Sequence, residues 1–307
     1  MLNTIRQGDW LQIITPKEWE GKTTDEIFRH EWKAPKKVIH SFRMEEKVRL
    51  EGNRVDWNLP LTAGIKLQIQ IFEEEDIQVT PHYYEIDVLF EDDHFLVINK
   101  PPFMNTHPND TNTETNTLIN AASFYLLSKG EMKNVRQIHR LDRDTSGAIL
   151  FAKHVLAGVI LDRMLEERQI KRTYLAMVHG LIQRKKGTIN APIGRDRHHA
   201  TKRRVSPSGQ AAITHYQVLK DVKVRNLSYV KCWLDTGRTH QIRVHLSHLG
   251  HPLVGDILYG GKPLVNRQAL HAAKLEFVHP FTHEKISCHA PFIDTPVIFD
   301  DIDVYSI

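Results

Sequence analysis

Short strand-like runs recur along this chain at irregular intervals, with few helical stretches between them, and this pattern constrains the fold most. Ile65, Leu67, Ile69 and Ile71 alternate with polar residues, the period of a strand with one buried face. Residues 86–99 read as two strands split by the acidic turn Glu91-Asp92-Asp93. Further strand-like runs cover 148–152, 173–178, 213–219 and 227–234. Helical spacing is confined to a few places: Leu118 onward after the capping residue Thr117, then Leu156, Val159, Ile160 and Met164, then Ile242, Leu246 and Leu249 before the stop at Gly250. Strands interleaved with a few helices, without a regular βαβ period, predict an α+β domain with a mixed, mainly antiparallel sheet.

A smaller α+β unit is expected over residues 1–75, followed by the main domain over 76–307. In the first unit, Thr23 or Thr24 can cap a short helix that reaches Ile27 and Phe28. Glu51-Gly52-Asn53 reads as the turn of a hairpin within residues 48–55. Glu73-Glu74-Glu75-Asp76 and Pro81 mark the linker, and the polar residues 105–116 read as a surface loop.

A length of 307 residues is enough for two domains, and 41% apolar with 25% charged residues fits a globular protein. The net charge of +4 permits a polyanionic partner without demanding one. Its distribution says more: residues 195–204 hold five cations (Arg195, Arg197, Lys202, Arg203, Arg204) against Asp196 alone. The two cysteines, Cys232 and Cys288, form no staple framework and suit buried positions in a reducing compartment. The first residues lack the apolar segment of a signal peptide, and no stretch has the length to span a bilayer. The expectation is a cytoplasmic, membrane-free protein. His240, His245, His248 and His251 crowd one segment, and His279, His283 and His289 another, but neither has zinc-site spacing. No metal and no cofactor are expected.

The densest chemistry lies in His139-Arg140-Leu141-Asp142-Arg143-Asp144-Thr145-Ser146-Gly147. An aspartate flanked by arginines and followed by a turn suits a nucleophile or base better than a proton-donating acid. A second polar run, Thr236-Gly237-Arg238-Thr239-His240-Gln241-Ile242-Arg243-Val244-His245, follows about a hundred residues later. Together these segments resemble the catalytic motifs of the RNA pseudouridine synthases of the RluA/RluD group, and the resemblance extends over residues 85–290. Lys100-Pro101-Pro102-Phe103 is similar to a family loop in which glycine usually stands where this chain has Phe103. The order of elements in residues 1–75 resembles a degenerate S4-like RNA-binding domain.

The resemblance implies isomerisation of uridine in structured RNA by a monomer, without a cofactor. It makes Asp142 the residue that attacks or deprotonates the ribose, and Arg243 its partner. Tyr174 would stack on the flipped uracil. Arg140 would fill the space that the base vacates, and Leu275 would belong to the apolar wall around it. Arg238 would meet RNA backbone, as would His107 in the Lys-Pro loop and Arg195, Lys202, Arg203 and Arg204 in the basic connection. Ribosomal 23S RNA is the preferred substrate. A tRNA is the alternative, and an inactive RNA-binding or ribosome-assembly protein is the rival of another class. A glycosidase would need a second acid. Asp144 and Asp235 are available in sequence, without a context that supports the role.

Overall fold

The computed structural model describes residues 2–110 and 113–307. Thr111 and Asn112 of the loop read over 105–116 lie outside them. In the N-terminal unit, β1 (Asn3–Gln7), β2 (Trp10–Ile14), β3 (Val48–Leu50), β4 (Asn53–Arg54) and β5 (Lys66–Gln70) form a sheet in the order β1-β2-β5-β3-β4. The short helix α1 (Thr24–Glu26) starts from a capping box, in which Glu26 N–H donates to Thr23 Oγ1 and Thr23 N–H donates to Glu26 Oε2. It runs into a wider turn over Ile27–Glu31, and α2 (Lys36–Met44) completes the unit.

The main domain is built on a ten-stranded sheet. Its strands are β6 (Asp87–Glu91), β7 (Phe95–Lys100), β8 (Arg136–Gln137), β9 (Ser146–Ala152), β10 (Lys171–His179), β11 (Lys186–Asn190), β14 (Ile213–Val222), β15 (Leu227–Leu234), β16 (Leu270–Val278) and β17 (Lys285–His289). The order is β11-β14-β15-β10-β16-β9-β7-β6, with β17 also on β16 and β8 also on β9. Every pairing in it is antiparallel except β9 with β16, which matches the mixed, mainly antiparallel expectation. Helices α3 (Leu118–Ser128), α4 (Val155–Glu166) and α5 (Gln241–His248) pack around it. Thr117 caps α3 in a box with Asn120. Among the described residues no helix is long and apolar enough to cross a membrane.

Residues 192–204, expected to be a basic connection, are instead largely a hairpin: β12 (Ile193–Arg195) pairs with β13 (Arg203–Val205). The cations hid it, because strands this short and charged carry no alternating apolar pattern. Phe103 takes the left-handed conformation that glycine would adopt freely, at φ 64°.

The two units share one apolar core. Leu11, Ile13, Phe28, Leu67 and Ile69 of the first belong to the same cluster as Phe95, Leu150, Leu161 and Phe281 of the second. The rings of Trp32 and Phe281 meet edge to face across the junction, 5.9 Å between centroids. Phe72 packs against His94 and His154 there.

Candidate active site

The single parallel pairing explains where the site forms. Parallel neighbours begin at the same end of a sheet, so the loop entering β9 meets the residues entering β16. Ser146 lies opposite His271, and Gly147 opposite Ala272. Gly147 has φ +112°, and a Cβ there would stand 2.3 Å from the Ala272 carbonyl oxygen. Only glycine lets β9 pass this close. The turn ahead of it, closed by Thr145 N–H to the Asp142 carbonyl at 3.0 Å, puts Asp142 at the rim of a cavity of about 560 Å³.

Asp142 is gripped from α5. Arg243 Nη1 donates to Asp142 Oδ2 at 2.9 Å, while its Nε and Nη2 donate to Asp256 at 2.7 and 3.0 Å. The Arg243 and Asp256 side chains are 8% and 1% exposed and Asp142 is 17% exposed, so of the two carboxylates Asp142 is the one open to the cavity. Burial opposes the Arg243 charge, yet the hydrogen bonds and the attraction of both carboxylates raise its pKa above the usual value. Asp256 thus fixes the guanidinium by a bidentate contact, and the free nitrogen orients Asp142.

Tyr174, on β10, is buried at the cavity wall, and burial pushes its phenol pKa up. It clusters with Leu141, Ile242 and Leu270. His240 caps α5 in a left-handed conformation, φ 59°. Its Nδ1 lies 2.8 Å from the Tyr259 hydroxyl and its Nε2 4.0 Å from Asp142 Oδ2. Burial lowers its pKa despite the nearby aspartate. Arg243 also lies over the Tyr259 ring, 5.0 Å from its centroid.

Arg140 and Arg238 are exposed residues lining the same cavity, and Arg238 Nε donates to the Ala211 carbonyl. Arg172 lines it too, with a buried Nε that has no hydrogen-bond partner. His107 is half-buried outside the cavity lining, its pKa lowered by burial and then by the charge of Arg140. Arg195, Lys202, Arg203 and Arg204 do not line the cavity but follow the β12–β13 hairpin beside it. Tyr259 joins the two places: its hydroxyl accepts from Arg203 N–H at 2.9 Å, and Lys202 Nζ lies over its ring.

Leu275 was expected in the apolar wall around the base. It sits 1% exposed in the core cluster with Phe95, Phe277 and Cys288 and does not itself line the cavity, although its β10 partner Arg172 does. Leu270, at the start of the same strand, lines the cavity instead. The register of β10 against β16 shifts between Thr173 and Leu175. The extra β16 residue at that shift puts Leu270, opposite Ala176, and Leu275, opposite Arg172, on the same face of the sheet although they are five apart.

Two structural supports went unassigned in the sequence. For Asp256, the signal available was the need of a buried arginine for a carboxylate. Lys100 is fully buried at the end of β7, its Nζ donating to the carbonyls of Pro101, Met104 and Arg143. Burial, then the charge of Arg267, pushes its pKa down to about 7. Among the described residues no cluster of His, Cys, Asp or Glu is arranged to hold a metal ion.

Residues 94–248 match the family model described as RNA pseudouridylate synthase. Residues 11–67 match that of the RluD ribosomal pseudouridine synthase N-terminal domain. The uncharacterized RNA pseudouridine synthase YhcT of Bacillus subtilis is 48% identical, covering 94% of this chain and 95% of that protein. Ribosomal large subunit pseudouridine synthase D of Haemophilus ducreyi is 38% identical over 75% of this chain and 74% of its own length. Among solved structures, human RNA pseudouridylate synthase domain containing 1 superposes with a TM-score of 0.56 at 30% identity, covering 67% of this chain and 83% of that one. With the motifs, the sheet and the N-terminal domain in agreement, the chain belongs to the RNA pseudouridine synthases of the RluA/RluD group, enzymes that isomerise uridine in RNA.

Proposed function

We propose that this enzyme converts one or more uridines of 23S rRNA to pseudouridine, with Asp142 as its nucleophile or base. The Asp142–Arg243–Asp256 chain at the cavity rim carries the assignment of roles: one carboxylate open to the cavity, one buried behind the arginine that holds it. The reaction must break the N1–C1′ bond, turn the uracil, join C5 to C1′ and release the C5 proton while N1 gains one. Asp142 attacks C1′ or removes a ribose proton in the first step. Tyr174 offers a ring against which the detached base can stack, and its raised pKa keeps the phenol protonated for hydrogen bonding. Arg140, exposed at the mouth, fills the gap that the base leaves in this reading. Arg238 and the basic hairpin extend the cationic surface outward to the RNA backbone.

The preference for ribosomal RNA rests on the match of the N-terminal unit to the RluD domain and on relatives named for the large ribosomal subunit. The test is pseudouridine mapping of total rRNA and tRNA from a deletion strain, complemented with wild type or Asp142→Asn. Loss of a 23S rRNA site, restored by wild type alone, supports the whole proposal. Loss confined to a tRNA site moves the substrate and leaves the chemistry standing. Restoration by Asp142→Asn removes the role given to Asp142.

A further inference from the structure

The loop that carries Asp142 is held by a second arginine besides Arg243. Arg267 precedes β16 and is completely buried; its Nε and Nη2 each lie 2.7 Å from an oxygen of Asp294, whose side chain is 7% exposed. Its other contacts join the catalytic loop to the start of β16. Nη1 donates to the Asp144 carbonyl at 3.1 Å and to the carbonyls of Gln268 and Leu270, and Nη2 donates to Ser146 Oγ at 2.8 Å. Gln268, the next residue, donates to Thr145 Oγ1 at 2.8 Å.

The arrangement repeats that of Arg243. In each, a buried carboxylate fixes one edge of a guanidinium by two contacts, and other nitrogens reach the segment 142–146. Arg243 with Asp256 grips the Asp142 side chain, whereas Arg267 with Asp294 grips the backbone that carries it. Asp294 lies beyond β17, so the clamp ties the C-terminal segment to the active-site turn.

We propose that Arg267, oriented by Asp294, is a positioning residue for Asp142, setting the rate of the chemical step without touching RNA. The proposal rests on the role given to Asp142. Displacing a reacting group by about 1 Å can cost on the order of 100-fold in rate. Neither side chain reaches the surface that RNA meets, so binding has no reason to change.

The experiment measures release of tritium from [5-³H]uridine-labelled transcripts of 23S rRNA and tRNA, because C5 loses its hydrogen in the isomerisation. Single-turnover rates at saturating enzyme and RNA Kd are compared for wild type, Asp294→Asn, Arg267→Lys and Asp142→Asn. All are measured at a temperature where circular dichroism shows each variant folded. Asp294→Asn keeps the side-chain shape and Arg267→Lys keeps the charge, so the two do not share one route to misfolding. The expected result is a rate about 30- to 300-fold lower for both, with Kd within threefold of wild type. A folded variant with the wild-type saturating rate overturns the clamp, whatever its melting temperature. A loss confined to Kd does so as well. If Asp142→Asn still turns over, the role of Asp142 falls, and the clamp with it. If Asp142→Asn is silent while both clamp variants run at the wild-type rate, the clamp alone falls. Wild-type protein that turns over neither transcript overturns both.

Discussion

Acidification from pH 7 to pH 5 is expected to remove about 5 kcal/mol of folding stability. The cause is a set of buried histidines that use a ring nitrogen as an acceptor. His139 Nε2 accepts from Leu150 N–H, and His154 Nδ1 accepts from Ala157 N–H. His271 Nε2 faces the Ala290 carbonyl and must donate to it, which leaves Nδ1 to accept from the Ser146 hydroxyl. His94 Nδ1 lies 2.9 Å from His154 Nε2, and because His154 Nδ1 is an acceptor its Nε2–H donates to His94. A second proton on any of these rings meets a donor rather than an acceptor. Burial accordingly pushes His139 down to about 3, His94 and His271 to about 4, and His154 well below its usual value.

The sign follows from proton counting. Between about pH 4 and 6.5 the unfolded chain binds these protons and the folded one does not, so stability is full above 6.5 and falls as pH drops. A group with an unfolded pKa of about 6.5 contributes about 1.8 kcal/mol between pH 7 and 5. Counting the coupled His94–His154 pair only once gives three such groups, hence at least about 5 kcal/mol, a large share of the 5–15 kcal/mol typical of a folded protein. Urea unfolding at pH 7, 6 and 5, followed by tryptophan fluorescence and circular dichroism with coincident transitions, measures it. A difference below about 1.5 kcal/mol between pH 7 and 5 would refute the reasoning, because even one such group supplies more.

Three further outcomes are expected. Asp256→Asn leaves Arg243 without its bidentate partner in a buried site, so stability should fall by about 3 kcal/mol in denaturant titration and the saturating rate at least tenfold; an unchanged rate would remove Asp256 from the site. Replacing Arg195 and Arg204 together by alanine should flatten the slope of log K against log salt by about 1.4–1.8 if each meets a phosphate, leaving the saturating rate intact. Gly147→Ala forces both a disfavoured φ and a clash with Ala272, and should unfold the protein or lower its melting temperature by many degrees; a wild-type melting curve would contradict the described passage of β9 past β16.

The sheet class and the main helices were legible because each has a local signature, an apolar period or a capping residue, whereas the pairing of Asp142 with Arg243 was implied by the family resemblance of two dense polar motifs. What escaped depends on contacts between distant segments. Asp256 acts on Asp142 only through Arg243. Lys100 and Arg267 look like ordinary cations until the backbone carbonyls they serve are folded around them. The hairpin at Arg195 and Arg203 is held by backbone hydrogen bonds, to which side-chain patterning is blind.

The core shared by the two units turns the molecule into a fixed gauge. Because Trp32 and Phe72 are packed into the same apolar cluster or its rim as Phe281 and His94, the N-terminal sheet does not swing on a tether. RNA touching both the sheet and the cavity must offer its two contact points at one set span, so a helix lengthened or shortened between them would present the wrong nucleotide to Asp142. Distance along a folded RNA then becomes a means of choosing a uridine whose neighbouring bases need not be read.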